Sequence, residues 1–322
     1  RPGRGRAMTA RGWTLVRAAL LVLVAVALSP MSPALLVFLP LALLLLAFRS
    51  REWLAVAAAA VILALSFAGS RPGGIEWYVP RAWGLIAGGT FVAVTVARGS
   101  DGVLARALAA VAVAVAVVLL IGAVRPDAIH SLDWWVASEI RHAAMIAGGL
   151  VEQFRGPSDP ALRDQMQGAI ERWVSFQEDA YPAMVALATM ACLGLAWFGL
   201  ERFSGTARTP GPVRDFRFSD HLVWLLIGGL AMVVLPLGGA ALRVGENAAL
   251  FMGGLYLVRG IAILIWVAAA AATSGWMAAL LTVSAVLLYP VVIGTALILG
   301  LTDTWLDLRG RLARAAENRD NG

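Results

Sequence analysis

The sequence predicts an all-α fold: a polytopic integral membrane helix bundle. Of its 322 residues, 60% are hydrophobic and only 14% are charged, and the apolar residues are concentrated in long runs. Such runs are typical of membrane spans, because a helix needs about 20 mainly apolar residues to cross a hydrocarbon core of about 30 Å. The lone cysteine, Cys192, lies inside one run, which excludes a disulfide framework and a thiolate metal site.

Nine apolar segments follow one another along the chain, and the first three are short for a bilayer. They are residues 13–28, 34–48, 53–68, 80–97, 103–124, 183–200, 221–242, 247–272 and 276–301. Tyr289-Pro290 divides the last segment into two halves that are too short to cross separately but that suit a re-entrant hairpin. The bundle is therefore predicted to contain eight or nine apolar segments, with eight full crossings favoured.

The basic residues predict the orientation of the bundle. All 26 are arginine, which excludes a Schiff-base or phosphate-loop lysine, and they cluster at segment ends instead of forming a nucleic-acid-binding face. Alternation of the spans puts the N-terminus, the turns at 49–51 and 98–106, and the loop 201–219 on one side, which the positive-inside rule identifies as the cytoplasm. The Arg-rich tail obeys the rule only if the ninth segment re-enters.

Residues 125–180 predict an extracytoplasmic amphipathic helical hairpin. Apolar residues recur there at steps of three and four, and the sequence Gly156-Pro157-Ser158-Asp159-Pro160 ends one helix and begins another. The predicted organisation is then an Arg-rich cytoplasmic N-terminus (1–12), a membrane block of five segments (13–124), the hairpin (125–180), a C-terminal membrane block (181–308) and an Arg-rich tail (309–322).

Arg259 is the leading candidate for a functional residue. It lies in the middle of an apolar segment, where a guanidinium costs at least ~2.5–3.5 kcal/mol on insertion scales. Three compensations are open: an anionic solute in a central cavity, an internal ion pair or carbonyl cap between helices, or a shift of the helix that lets the side chain reach an interface. Gly253, Gly254 and Gly260 would permit a close neighbour or a ligand.

Two further polar groups are candidates. Arg243, Glu246 and Asn247 are predicted at a glycine-rich turn between the seventh and eighth segments, which is either a transporter-type unwound site or an ordinary loop with an Arg–Glu pair. These three residues and Arg259 form the predicted substrate-binding set. Asp303, Asp307 and Arg311 are spaced by four and predict a structural ion-pair face on an interfacial helix, with a cavity-facing pair of aspartates as the alternative.

Nothing in the sequence predicts catalysis. Ser219, Asp220 and His221 are consecutive and cannot converge as a triad, so Asp220 is interpreted as a helix N-cap or an interfacial residue. His130 and His142 lie about 120° apart around a helix and cannot share a metal. We therefore expect a protein that is not an enzyme and that uses neither a metal nor a cofactor.

Three stretches, 215–224, 247–262 and 300–309, resemble the YybS-like family of uncharacterised bacterial membrane proteins. The resemblance implies a multi-pass protein of the inner membrane, with a distant, fold-level similarity to the substrate-capturing subunits of energy-coupling-factor transporters. Two functions follow as hypotheses. One is the binding or transport of a small solute, for which Arg259 favours an anion; the other is a non-transporting envelope scaffold that recruits a membrane protein partner through the hairpin or the Arg-rich tail.

Overall fold

The computed structural model describes residues 33–48, 52–68, 73–97, 102–155, 160–204, 218–271, 280, 283–284 and 287–306. These residues are almost entirely helical and contain no strand, which confirms the all-α prediction. In chain order the helices are α1 (Pro33–Phe48), α2 (Glu52–Phe67), α3 (Ile75–Ala97), α4 (Val103–Val124), α5 (Pro126–Arg155), α6 (Pro160–Ser204), α7 (Val223–Val234), α8 (Gly239–Ala271) and α9 (Tyr289–Leu306), with a 3-10 turn at Asp220–Leu222. They divide into two compact units, Arg1–Pro210 and Gly211–Gly322.

Five of the described helices are long and apolar enough to cross a membrane. These spans are Ile75–Ala97, Val103–Val124, Asp164–Phe203, Gly239–Ile265 and Tyr289–Leu306, and three shorter apolar helices accompany them. The pattern is that of the polytopic bundle predicted from the sequence. The predicted first segment (13–28), the two Arg-rich termini (1–12 and 309–322) and most of residues 272–288 lie outside the described residues, so the eight-or-nine-crossing question stays a prediction.

In the first unit, α1 packs against α2, α3 and α6. Gly84 and Gly88, one turn apart on α3, are both buried, and a β-carbon at Gly88 would approach Pro40 of α1 to 3.0 Å. Small residues at this spacing allow two helices in lipid to approach closely. Across the unit, the Trp83 indole N–H donates a 2.9 Å hydrogen bond to the hydroxyl of Thr189 on α6. The glycine pair therefore serves packing within the chain.

The amphipathic hairpin is formed by α5 and the first part of α6. Trp135, Val136 and Ile140 of α5 are buried in a common apolar cluster. At its edge Arg141 pairs with Glu178 of α6 at 2.6 Å, and this hydrogen bond raises the pKa of Arg141 above its ordinary value. Helix α6 continues through Pro182 into the predicted sixth segment without a break. The turn predicted at 156–159, with Asp159 as N-cap, lies outside the described residues.

The second unit opens with a hairpin of α7 and α8. Its turn lies at 235–238, where Leu235 takes the extended conformation that a following proline favours and Gly238 has φ of 98°, which suits glycine. The turn predicted at Arg243, Glu246 and Asn247 is wrong, because these residues lie within α8. The backbone groups of those residues continue the helical ladder of α8, because Pro236 had already ended the preceding helix.

Candidate functional site

Arg259 of α8 and Asp303 of α9 form an ion pair inside the second unit. Arg259 is 4% exposed and Asp303 is 2% exposed. The Arg259 Nε–H donates to Asp303 Oδ2 at 2.9 Å, and Nη2–H donates to the Asp303 backbone carbonyl oxygen at 3.2 Å. The guanidinium is thus held by a carboxylate and a main-chain carbonyl of the same residue, a fork geometry that arginine offers and lysine does not.

A second carboxylate reaches the same guanidinium from the turn before α7. Arg259 Nη1–H donates to Asp220 Oδ1 at 3.0 Å, but the Asp220 side chain is 63% exposed. The Phe218 ring lies 5.2 Å from the guanidinium carbon, and the ring of Tyr256 packs edge-on against Phe218. The site therefore has one cation, two carboxylates and an aromatic wall, with a buried side toward Asp303 and an accessible side toward Asp220.

Arg259 and Asp303 can bond to each other because the backbones of α8 and α9 are in contact where the two helices cross. A β-carbon at Gly260 would overlap the carbonyl group of Ala296, and one at Gly300 would overlap the carbonyl oxygen of Tyr256. Any residue larger than glycine at either position forces the backbones apart. The glycines therefore set the distance at which Arg259 and Asp303 form their bonds.

Arg259 lies near the middle of the apolar part of α8. Polar residues occupy the first turns of this helix, so its apolar stretch covers 248–271 and extends about 16–18 Å on either side of Arg259 at ~1.5 Å per residue. Helix α7 has 12 residues, about 18 Å, which is short for a ~30 Å core. Because Asp220 contacts Arg259, the turn that begins this short helix lies beside the buried arginine.

The predicted substrate-binding set is not brought together. Arg243, Glu246 and Asn247 precede Arg259 on α8 by 12–16 residues, which is about 18–24 Å along the axis. The Asn247 side chain donates to the Arg243 backbone carbonyl oxygen at 2.8 Å, within the helix, and Glu246 is exposed. Of the three compensations considered for Arg259, the structure shows the internal ion pair together with the carbonyl cap.

The predicted ion-pair face is only partly described. Asp303 is buried and bonded to Arg259. It therefore takes part in an ion pair between two helices, where the sequence predicted ion pairs along its own helix. Asp307 and Arg311 lie outside the described residues. Asp220, interpreted as an N-cap or interfacial residue, is the first residue of the 3-10 turn, and its carboxylate pairs with Arg259. Within the described ranges, no three His, Cys, Asp or Glu side chains lie close enough together to hold a metal ion.

A family model matches most of the chain. The model of a family described as predicted membrane protein (DUF2232) matches residues 16–304. The chain belongs to this family. The match covers the Arg259 site and both helical units, and it identifies the apolar helices as those of a membrane protein. Searches of curated proteins and of solved structures each gave no match.

A second buried arginine, which the sequence did not predict, lies in the first unit. Arg106 of α4 is 5% exposed, and its guanidinium carbon lies 4.4 Å from the ring of Trp197 on α6. The Trp197 indole N–H donates to Glu201 at 2.7 Å, and the rings of Phe48 and Phe91 pack edge-on against Trp197. In the sequence, Arg106 contributes only to the positive charge of the turn 98–106, which predicts the orientation of the bundle. The Trp–Glu spacing of four on α6 is the signal that could have indicated a cation partner.

Proposed function

We propose that this membrane protein binds a small anionic solute at Arg259, and that the solute's carboxylate or phosphate replaces the carboxylate of Asp220. The observation that carries the proposal is the asymmetry of the two aspartates. Both contact one guanidinium at about the same distance, yet Asp303 is 2% exposed whereas the Asp220 side chain is 63% exposed. Asp303 is enclosed within the second unit, whereas Asp220 is mostly exposed.

The asymmetry makes exchange of one partner feasible. The Asp220 carboxylate is mostly exposed, so its bond to Arg259 contributes less to stability than a bond between two buried groups. A buried pair behaves differently, because removal of one partner leaves a charge without compensation. An incoming anion therefore meets a guanidinium that is already oriented by Asp303 and by the Phe218 ring. The exchange leaves the charge of the site unchanged when the anion carries one negative charge.

The depth of the site supports a transport-type function. Solute sites of many transporters lie near mid-membrane beside helices that do not cross the bilayer fully. Helix α7 is such a short helix, and its first turn contacts Arg259. The proposal includes an inner-membrane location with a cytoplasmic N-terminus, and it accords with the suspected similarity to YybS-like proteins and to energy-coupling-factor substrate-capturing subunits. The chemistry proposed is binding and not catalysis.

The test is ligand-induced thermal stabilisation of the purified protein in detergent, with a panel of small carboxylates and inorganic phosphate. A ligand at 100 times its Kd stabilises the folded state by about 2.7 kcal/mol, which a melting curve resolves. We expect Arg259→Lys to keep a shift, because it keeps the positive charge. The double variant Arg259→Met with Asp303→Asn removes both members of the buried pair, leaves no uncompensated buried charge and should lose the shift.

The control for charge removal is Glu171→Gln, because Glu171 is an exposed acid on α6 in the other unit. Its shift should equal that of the wild type. If no anion in the panel raises the melting temperature of the wild type, or if the double variant responds as strongly as the wild type, the proposal is wrong.

The alternative function is an envelope scaffold, and the hairpin of α5 and α6 favours it. Its outer faces carry large exposed apolar side chains: Trp134 (72%), Met145 (68%) and Trp173 (53%). A scaffold should lose a co-purifying membrane protein partner when these three side chains are replaced by serine, while its melting temperature stays unchanged. An unchanged set of co-purifying proteins would exclude this function for the hairpin.

A further inference from the structure

The hydroxyl group of Tyr256 is buried without a hydrogen-bond partner among the described residues. Tyr256 is 1% exposed, and its ring packs against Phe218. The hydroxyl oxygen of Thr304 is likewise buried and makes no hydrogen bond to any described residue. Buried hydroxyl groups are nearly always bonded to protein, water or ligand, so two exceptions in one region call for an explanation.

Both hydroxyl groups belong to residues that adjoin the Arg259–Asp303 pair. Tyr256 precedes Arg259 by three residues on α8, and its ring touches the same Phe218 ring that faces the guanidinium. Thr304 directly follows Asp303 on α9, and the crossing at Gly300 brings α9 against the backbone of Tyr256. Tyr256 and Thr304 therefore belong to the same helix crossing as the ion pair, and their hydroxyl groups can still form hydrogen bonds.

We infer that Tyr256 and Thr304 recognise an oxygen substituent of the solute, so that the ligand class is a hydroxy- or keto-carboxylate and not a simple carboxylate. The inference rests on the proposed anion site at Arg259 and specifies its ligand. A hydroxyl or keto oxygen on the ligand accepts a hydrogen bond from a buried hydroxyl group that would otherwise need water or protein as its partner. A ligand without that oxygen leaves the hydroxyl groups unbonded and binds more weakly, as sites built around a substrate hydroxyl do.

Matched ligand pairs test the inference: malate against succinate and lactate against propionate. We expect the wild type to bind the hydroxy acid of each pair about tenfold more tightly, which is the upper range for one neutral hydrogen bond. Tyr256→Phe should reduce this preference, because one of the two hydroxyl groups is lost. Without ligand it should melt at the wild-type temperature or above, because it removes a buried hydroxyl group that makes no hydrogen bond.

The control is Tyr289→Phe, because Tyr289 is 63% exposed on α9 and removal of its hydroxyl should change neither preference nor melting temperature. Equal affinity of the wild type for both members of each pair overturns the inference. If both members still bind, the proposed anion site at Arg259 stands. A lower melting temperature of ligand-free Tyr256→Phe also overturns it, because the hydroxyl would then stabilise the fold itself. If no carboxylate binds, both the proposed anion site and this inference are wrong.

Discussion

We expect the variant Asp303→Asn to lower the free energy of unfolding by about 3–5 kcal/mol. Asparagine keeps the volume and one carbonyl oxygen but removes the charge, so the Arg259 guanidinium stays buried with only the exposed Asp220 as counter-charge. Removal of one partner of a buried ion pair typically has this cost. Thermal melting or unfolding by increasing denaturing detergent measures the loss.

Two further variants separate charge from packing. Asp220→Asn should cost less than Asp303→Asn, because the Asp220 side chain is mostly exposed and Arg259 keeps its buried partner Asp303. The double variant Arg259→Met with Asp303→Asn should be more stable than Asp303→Asn alone, because no buried charge remains. If Asp303→Asn and Asp220→Asn destabilise the protein equally, the buried pair does not hold α8 and α9 together as described.

The second large effect is expected from Gly300→Ala. The added methyl group would overlap the Tyr256 carbonyl oxygen, so α8 and α9 must move apart. We expect a loss of about 2–3 kcal/mol, which is in the range of overpacked sites. The same separation lengthens the bonds between Arg259 and Asp303, so the variant should also lose any anion-induced shift in melting temperature.

Glycine residues on the same helices provide the control. A β-carbon at Gly294 of α9 or at Gly253 of α8 meets no atom within 4 Å in the described part of the chain. Alanine at these positions should leave stability unchanged or raise it by up to about 1 kcal/mol, because alanine favours helices over glycine. A loss at Gly294→Ala as large as that at Gly300→Ala would show that the close crossing at Gly300 does not explain the effect.

Helix positions could be predicted from the sequence where local signals agree. The predicted segment 103–124 coincides with α4, because Gly102 precedes the apolar run and Arg125 follows it. The turn before α8 was misplaced, because the polar residues at 243–247 were weighted above Pro236, whose missing N–H ends the preceding helix. Polarity marks the depth of a residue in the membrane, whereas proline marks the end of a helix.

The candidate site could be predicted only in part. Arg259 follows from its depth alone, since a buried guanidinium requires compensation. Its partners do not, because Asp220 and Asp303 lie 39 and 44 residues away and neither periodicity nor spacing links them. Gly260 suggested a close neighbour, but the sequence could not show that α9 provides it. Pairing across helices depends on their crossing, which local sequence patterns do not encode.

Binding of an anion to Asp220→Asn is the most direct test of the account. The variant removes the carboxylate that the solute must replace but keeps Arg259, Asp303 and Phe218. Equilibrium titration of detergent-purified protein with malate should show several-fold tighter binding than the wild type, because no internal competitor has to leave, and Glu171→Gln should bind as the wild type does. Equal or weaker binding to Asp220→Asn would contradict the proposal that Asp220 occupies the place of the solute.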